Sequence, residues 1–168
     1  AGSNCLWKGD AIAGVGPITV DPGLQDAAVG KHLMGSVMRH AEDNGFPGVR
    51  LVQAAYHNRS LSLYTKLGFD AREPLSVMQG PAMKRGVQAH PVRTALEADL
   101  DACNRVCVAI HGHDRGGELL DAIKQRNAML VERNGRVTGY ATGVGFFGHA
   151  VGESNDDVKA LIAAAEAF

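Results

Sequence analysis

The chain has 168 residues, enough for one domain or two small ones. Its formal net charge of −1 leaves no basic surplus for nucleic acid or an anionic membrane surface, and 5% aromatics is thin for stacking on bases. An apolar fraction of 45% beside 21% charged residues is that of a soluble chain with a packable core.

No apolar run approaches the ~20 residues of a membrane span. The first residues carry neither the basic nor the apolar part of a leader. Three cysteines, Cys5, Cys103 and Cys107, make no paired framework, so reduced thiols and a cytoplasmic setting are expected. Cys103 and Cys107 lie four apart on a predicted helix and read as core thiols rather than zinc ligands.

In chain order, residues 11–20 predict a strand whose glycines suggest a bulge or a close backbone approach. From Leu24 to about Asn44, Val29, Leu33, Val37 and Ala41 recur every four positions, with Met34 and Met38 beside them. That spacing predicts one apolar helical face. Asn44-Gly45 and Pro47 stop it. Residues 49–56 read as a short buried strand, residues 59–67 as a helix closed by Gly68, and Leu75 to Met78 as a further short strand. A linker-like segment follows. Beyond it come a brief strand, a helix from about Glu97 to Ala109 begun by Thr94 or Ala95, and a second helix from Gly116 to Arg126. Strands at 128–132 and 137–142 flank Asn134-Gly135, the strongest hairpin dipeptide. A strand around 146–151 leads to a last helix, about 155–167, capped by Ser154 or Asn155. The alternation argues for an α/β or α+β layer fold, and the hairpin argues against a purely parallel sheet.

The junction Val20-Asp21-Pro22-Gly23 passes from a strand into a helix through Gln25-x-x-Ala28-x-Gly30. Small residues there let the backbone approach a ligand, and the first helical turn offers unpaired N–H groups to an anion. Neither G-x-G-x-x-G nor G-x-x-x-x-G-K-[ST] is present, which disfavours a dinucleotide or nucleoside triphosphate site. Downstream, Ser62 to Phe69 (SLYTKLGF) places Tyr64 on a short helix ending in Gly-Phe.

Together these two segments resemble the GNAT superfamily of acyl-CoA-dependent N-acyltransferases. That family carries Val-x-Pro and then [RQ]-x-x-G-x-[GA] between its fourth strand and third helix, and later N-x-x-A-x-x-L-Y-x-x-x-G-F. The resemblance covers residues 11–80. It implies a mixed, mostly antiparallel central sheet flanked by helices. It also implies that the backbone of Gln25, Asp26, Ala27, Ala28, Val29, Gly30 and Lys31 holds the pyrophosphate of acetyl-CoA. Ile18, Thr19 and Val20 would pair with the pantetheine arm, and Tyr64 would protonate the departing thiolate. Ala28 stands where the family most often has glycine, so its methyl is expected to crowd the phosphate. The family's asparagine position holds His57, with Asn58 next. Either side chain is a candidate cofactor contact, and His57 is alternatively the base that deprotonates the acceptor amine. Each also has a plainer reading, Tyr64 as a core tyrosine and His57 as a surface histidine. The strand at 11–20 carries no carboxylate, which leaves a bound water for the base.

The second half resembles the beginning of the same fold, an opening strand, two helices and a hairpin, whereas residues 1–80 resemble its end. The expected organisation is a closing half with the acyl-CoA site (1–83), a linker (84–90), and an opening half without a phosphate loop (91–168). A fragment straddling two tandem domains fits this order. So does a permuted single sheet, or a homodimer of complementing halves. His111 to Asp114 (HGHD) with His149 reads as helix-end capping, with no metal expected. Phe146, Phe147 and His149 are candidates for lining an acceptor pocket. The implied activity is N-acetyl transfer from acetyl-CoA to a small-molecule or peptide amine, by direct attack in a ternary complex. The alternative is a non-catalytic acyl-CoA-binding or assembly module of the same fold.

Overall fold

A computed structural model describes residues 1–76, 90–145 and 148–165 of the chain. The chain divides into two compact units, Ala1–Val77 and Met78–Phe168. The fold is mixed α/β, with one helix-flanked and largely antiparallel sheet in each unit. Among the described residues no helix is long and apolar enough to cross a membrane.

The first unit begins with two antiparallel strands, β1 (Gly2–Trp7) and β2 (Ala13–Val20). Strand β1 was not anticipated, because Gly-Ser-Asn carries no alternating pattern and the pairing with β2 alone makes it a strand. The register slips between Asn4 and Leu6, opposite a stretch of β2 that includes Pro17, which has no N–H to give the ladder. Helix α1 (Val29–Asp43) packs on both strands. Met34 and Ala41 are buried while Val29, Leu33, Val37 and Met38 are half-buried, as the four-residue spacing predicts.

Three expectations for this unit are corrected. The helix does not start at Leu24: Pro22–Leu24 form a separate 3-10 turn capped by Asp21, whose Oδ1 accepts from Gly23 N–H at 2.9 Å. The expected strand over 49–56 shrinks to β3 (Val49–Arg50), parallel to β2 at Ala13 and Gly14 only. Past that point Val52 is 74% and Tyr56 86% exposed, so the apolar run is no buried strand. Leu75 and Ser76 have no regular structure, and Val77 and Met78 lie outside the described residues. Helix α2 (Asn58–Lys66) runs as expected and ends at Gly68, whose φ of 92° suits only glycine.

The second unit has four antiparallel strands in sequence order: β4 (Val92–Thr94), β5 (Met129–Arg133), β6 (Arg136–Ala141) and β7 (Ala150–Gly152). Asn134 and Gly135 join β5 to β6 with both φ positive, 52° and 74°, the geometry a two-residue hairpin demands. Successive residues of β5 serve opposite faces. Leu130, with Tyr140 of β6, meets α3 (Leu100–His111) and α4 (Gly116–Lys124) in a cluster that holds Cys103, Cys107 and Leu119. Val131, with Ala141, meets Ala160 and Leu161 of α5 (Asn155–Ala164). Cys103 and Cys107 are thus core thiols, and burial pushes the Cys103 thiol up to about 12.

The start of α3 differs from expectation. A 3-10 turn at Glu97–Asp99 precedes it, because Asp99 Oδ2 accepts from Leu96 N–H at 2.9 Å while Arg93 grips the same carboxylate. Helix α5 is capped by Ser154, whose Oγ accepts from Asp157 N–H at 3.2 Å. The expected linker, 84–90, lies outside the described residues but for His90.

Candidate active site

Parallel strands that pair over two residues and then part leave an open edge. Beyond Gly14, β2 continues to Val20 with no strand on its β3 side among the described residues. On its other side Ile18, Thr19 and Val20 pair with Asn4, Ser3 and Gly2. Ile18 and Val20 are half-buried and Thr19 is exposed, its hydroxyl 2.8 Å from that of Ser3.

The chain then enters α1 through an irregular loop. Ala27 N–H donates to the Leu24 carbonyl at 3.2 Å, and His32 N–H closes the first α-helical bond on the Ala28 carbonyl at 3.1 Å. Among the described residues, no group accepts from the N–H of Asp26, Ala28, Val29, Gly30 or Lys31. Ala28, the N-cap, sits left-handed at φ 57° and ψ 12° and supplies no side-chain cap. The helix therefore presents uncapped donors where its dipole is positive, a place suited to an anion.

Helix α2 comes up against this point. A Cβ at Gly30 would lie 3.7 Å from Leu63 Cδ2 and 3.8 Å from Val20 Cγ2, so the end of β2, the start of α1 and α2 converge there. A groove between the loop and α2 is lined by Gln25, Asp26, Ala28 and Lys31 from one side, and by Arg59, Ser62, Leu63, Lys66 and Leu67 from the other. Three cations face one carboxylate in it. Tyr64, next to Leu63, is 9% exposed, and its ring stands edge-on to Phe69 with centroids 6.0 Å apart. Among the described residues no group hydrogen-bonds its hydroxyl.

His57 is the N-cap of α2. Its Nδ1 accepts from Ser60 N–H at 3.3 Å and lies 2.7 Å from Ser60 Oγ. A nitrogen that accepts a backbone N–H carries no proton of its own, so the proton sits on Nε2. A base role for His57 would require it to release the cap. Asn58 is exposed at the first position of the helix. The second unit brings together the rings of His111 and His149, with centroids 5.3 Å apart, and of His111 and His113 at 6.3 Å. Among the described residues no cluster of three or more His, Cys, Asp and Glu is arranged to hold a metal. Phe146 and Phe147 lie outside the described residues.

Residues 1–69 match the model of the acetyltransferase (GNAT) family. That match falls within the first unit and covers less than half of the chain. A GCN5-related N-acetyltransferase from Kribbella flavida shares the fold at a TM-score of 0.54 and 16% identity, over 96% of this chain and 46% of that one. A Trypanosoma brucei acetyltransferase is 28% identical over 40% of this chain and 46% of that one, with a TM-score of 0.37. The chain thus spans under half the length of either structure. Among curated proteins none matches.

In the first unit the alanine at position 28 takes on a physical meaning. The sequence suggested crowding by a methyl group, but the structural cost is a left-handed backbone on a residue with a Cβ. Ala28→Gly is expected to stabilise the chain by about 1 kcal/mol, once the extra unfolded-state freedom of glycine is deducted. Thermal melting should rise by a few degrees. An unchanged or lower midpoint would mean that residue 28 is not held left-handed. Sequence reasoning missed Arg59 and Lys66 in the groove. The segment HNRSLSLYTK shows the two cations, but a surface arginine and a groove arginine look alike until the loop is folded against the helix.

Proposed function

We propose that the first unit binds acetyl-CoA and transfers its acetyl group to an amine. The observation that carries this reading is the convergence at Gly30: free helix-terminal amides, the open edge of β2, and α2 bearing Tyr64 meet in one place. The donor set fits the group. Unpaired amides and three cations suit a pyrophosphate, while an unpaired strand edge suits the amides of a pantetheine arm. Asp26 and Ala28 to Lys31 would hold the phosphates through backbone N–H groups. Ala27 is already committed to Leu24, and Gln25 would contribute by shaping the loop. Ile18 to Val20 would align the arm, and Asn58 lies at the rim of the same helix.

When bound, the cofactor supplies a thioester that an amine can attack directly, releasing a thiolate. Tyr64 would give its phenolic proton to the leaving sulfur, and water would take the proton of the amine, since β2 offers no carboxylate. His57 serves through the cap that fixes the start of α2. The acceptor is a small-molecule or peptide amine. None of the three cysteines is in a disulfide, and we propose a reducing, cytoplasmic setting for the reaction. We further propose that the two units are the closing half of one GNAT domain and the opening half of another.

Thermal melting with acetyl-CoA, beside ATP and NAD, tests the reading. At 100 times Kd a ligand stabilises by about 2.7 kcal/mol. A clear upward shift with acetyl-CoA alone is expected, and no shift in a folded sample would overturn the reading. The strained Ala28 and the absent carboxylate favour a second reading, an acyl-CoA-binding module without turnover, which the Tyr64 substitution discussed below separates.

A further inference from the structure

The groove carries an ion pair whose position calls for a reason. Arg59, on α2, turns its Nη2 onto both the Gln25 carbonyl at 2.9 Å and the Asp26 carboxylate at 2.5 Å. Among the described residues its Nε and Nη1 have no acceptor. The Asp26 side chain is 96% exposed. An exposed pair of this kind adds little to stability, because water screens it and two side chains lose freedom. Its location is what matters: Asp26 puts a carboxylate at the groove that Lys31, Arg59 and Lys66 also line, beside the unpaired amides at the start of α1.

A second anion entering there meets a guanidinium that already has a partner. Resting on the coenzyme A reading, we propose that Asp26 is a resident counter-anion that the ligand's phosphate displaces from Arg59. Asp26 therefore weakens and Arg59 strengthens the binding of a phosphate diester or diphosphate through one shared contact. The Arg59 bond to the Gln25 carbonyl survives the exchange and keeps the loop in place. The planar guanidinium can hold a phosphate in two-point fashion once the carboxylate leaves.

Isothermal titration of the full chain with coenzyme A, in wild type, D26N, R59Q and the double variant, tests the exchange. D26N is expected to tighten Kd about fivefold and R59Q to loosen it about tenfold. In the R59Q background, D26N should gain less than about twofold, because the contact it competes for is gone. Equal tightening in both backgrounds would mean that Asp26 acts by repulsion at a distance, which overturns the exchange. Looser binding by D26N would make Asp26 a strut of the loop and overturn it as well. Absence of binding in wild type and all variants alike is a separate result, which removes the coenzyme A reading and the exchange with it.

Discussion

Replacing Tyr64 by phenylalanine is expected to lower acetyl transfer about 100-fold while leaving coenzyme A affinity within about twofold. The expectation rests on where the side chain stands. Its ring packs edge-on against Phe69 just beyond the end of α2, so phenylalanine keeps the packing and loses only the hydroxyl. That hydroxyl has no protein partner among the described residues, so its removal orphans nothing and the melting temperature should hold. Leu63, one residue earlier, reaches the first turn of α1 at Gly30, which ties α2 to the loop. A drop in kcat with unchanged binding marks a group that acts only as the thiolate leaves. An unchanged rate would remove Tyr64 from the chemistry. A chain that binds coenzyme A but never turns over, with or without Tyr64, would be the binding module.

The largest expected loss of stability comes from Asp157→Ala in the second unit, about 3 kcal/mol. Asp157 is fully buried at the start of α5. Its carboxylate accepts from Thr138 Oγ1 at 2.8 Å and Ser154 Oγ at 2.7 Å, and lies 3.4 Å from Arg133 Nη2. Alanine would leave a cavity, an unmatched buried threonine and a half-exposed arginine without one of its partners. A fall in the midpoint on the order of 10 °C is expected. A loss below about 1 kcal/mol would show that water replaces the carboxylate at little cost.

The same residue sets a pH dependence. Burial works against the charged form of Asp157, but the two hydroxyls, Arg133 and the Ser154 backbone contact outweigh it and hold its carboxyl below the ordinary range. A group depressed in the folded state contributes stability that is complete above its unfolded value, about 3.9, and is lost as pH falls through the folded value. The gap between wild type and Asp157→Ala should therefore be full at neutral pH and narrow only below about pH 4. A gap already closing between pH 7 and 5 would contradict this assignment.

Much of the chain could be read without a fold. The apolar spacing of Val29, Leu33, Val37 and Ala41 announces a helix, and Asn134-Gly135 announces a hairpin, because each is a local rule with a local cause. The loop from Val20 to Gly30 and the segment ending in Gly68-Phe69 carry the resemblance to the GNAT family, whose model residues 1–69 match. They are short stretches whose backbone needs are written in their residue types. Where reading failed, the cause was a partner distant in sequence. Gly2–Trp7 is a strand only because β2 lies beside it, and residues 51–56 are not one because pairing with β2 stops at Arg50.

The division follows from range. Residue types and near-neighbour spacing determine propensity, capping and turn chemistry. Contacts across 19 or 33 residues arise only when the sheet and helices close. Such contacts turned Asp157 from one acid of an Asp-Asp pair into a buried anchor, and bound Arg59 to Asp26 at the groove. The structure also holds Ala28 left-handed, a conformation its own side chain resists and no residue pattern announces.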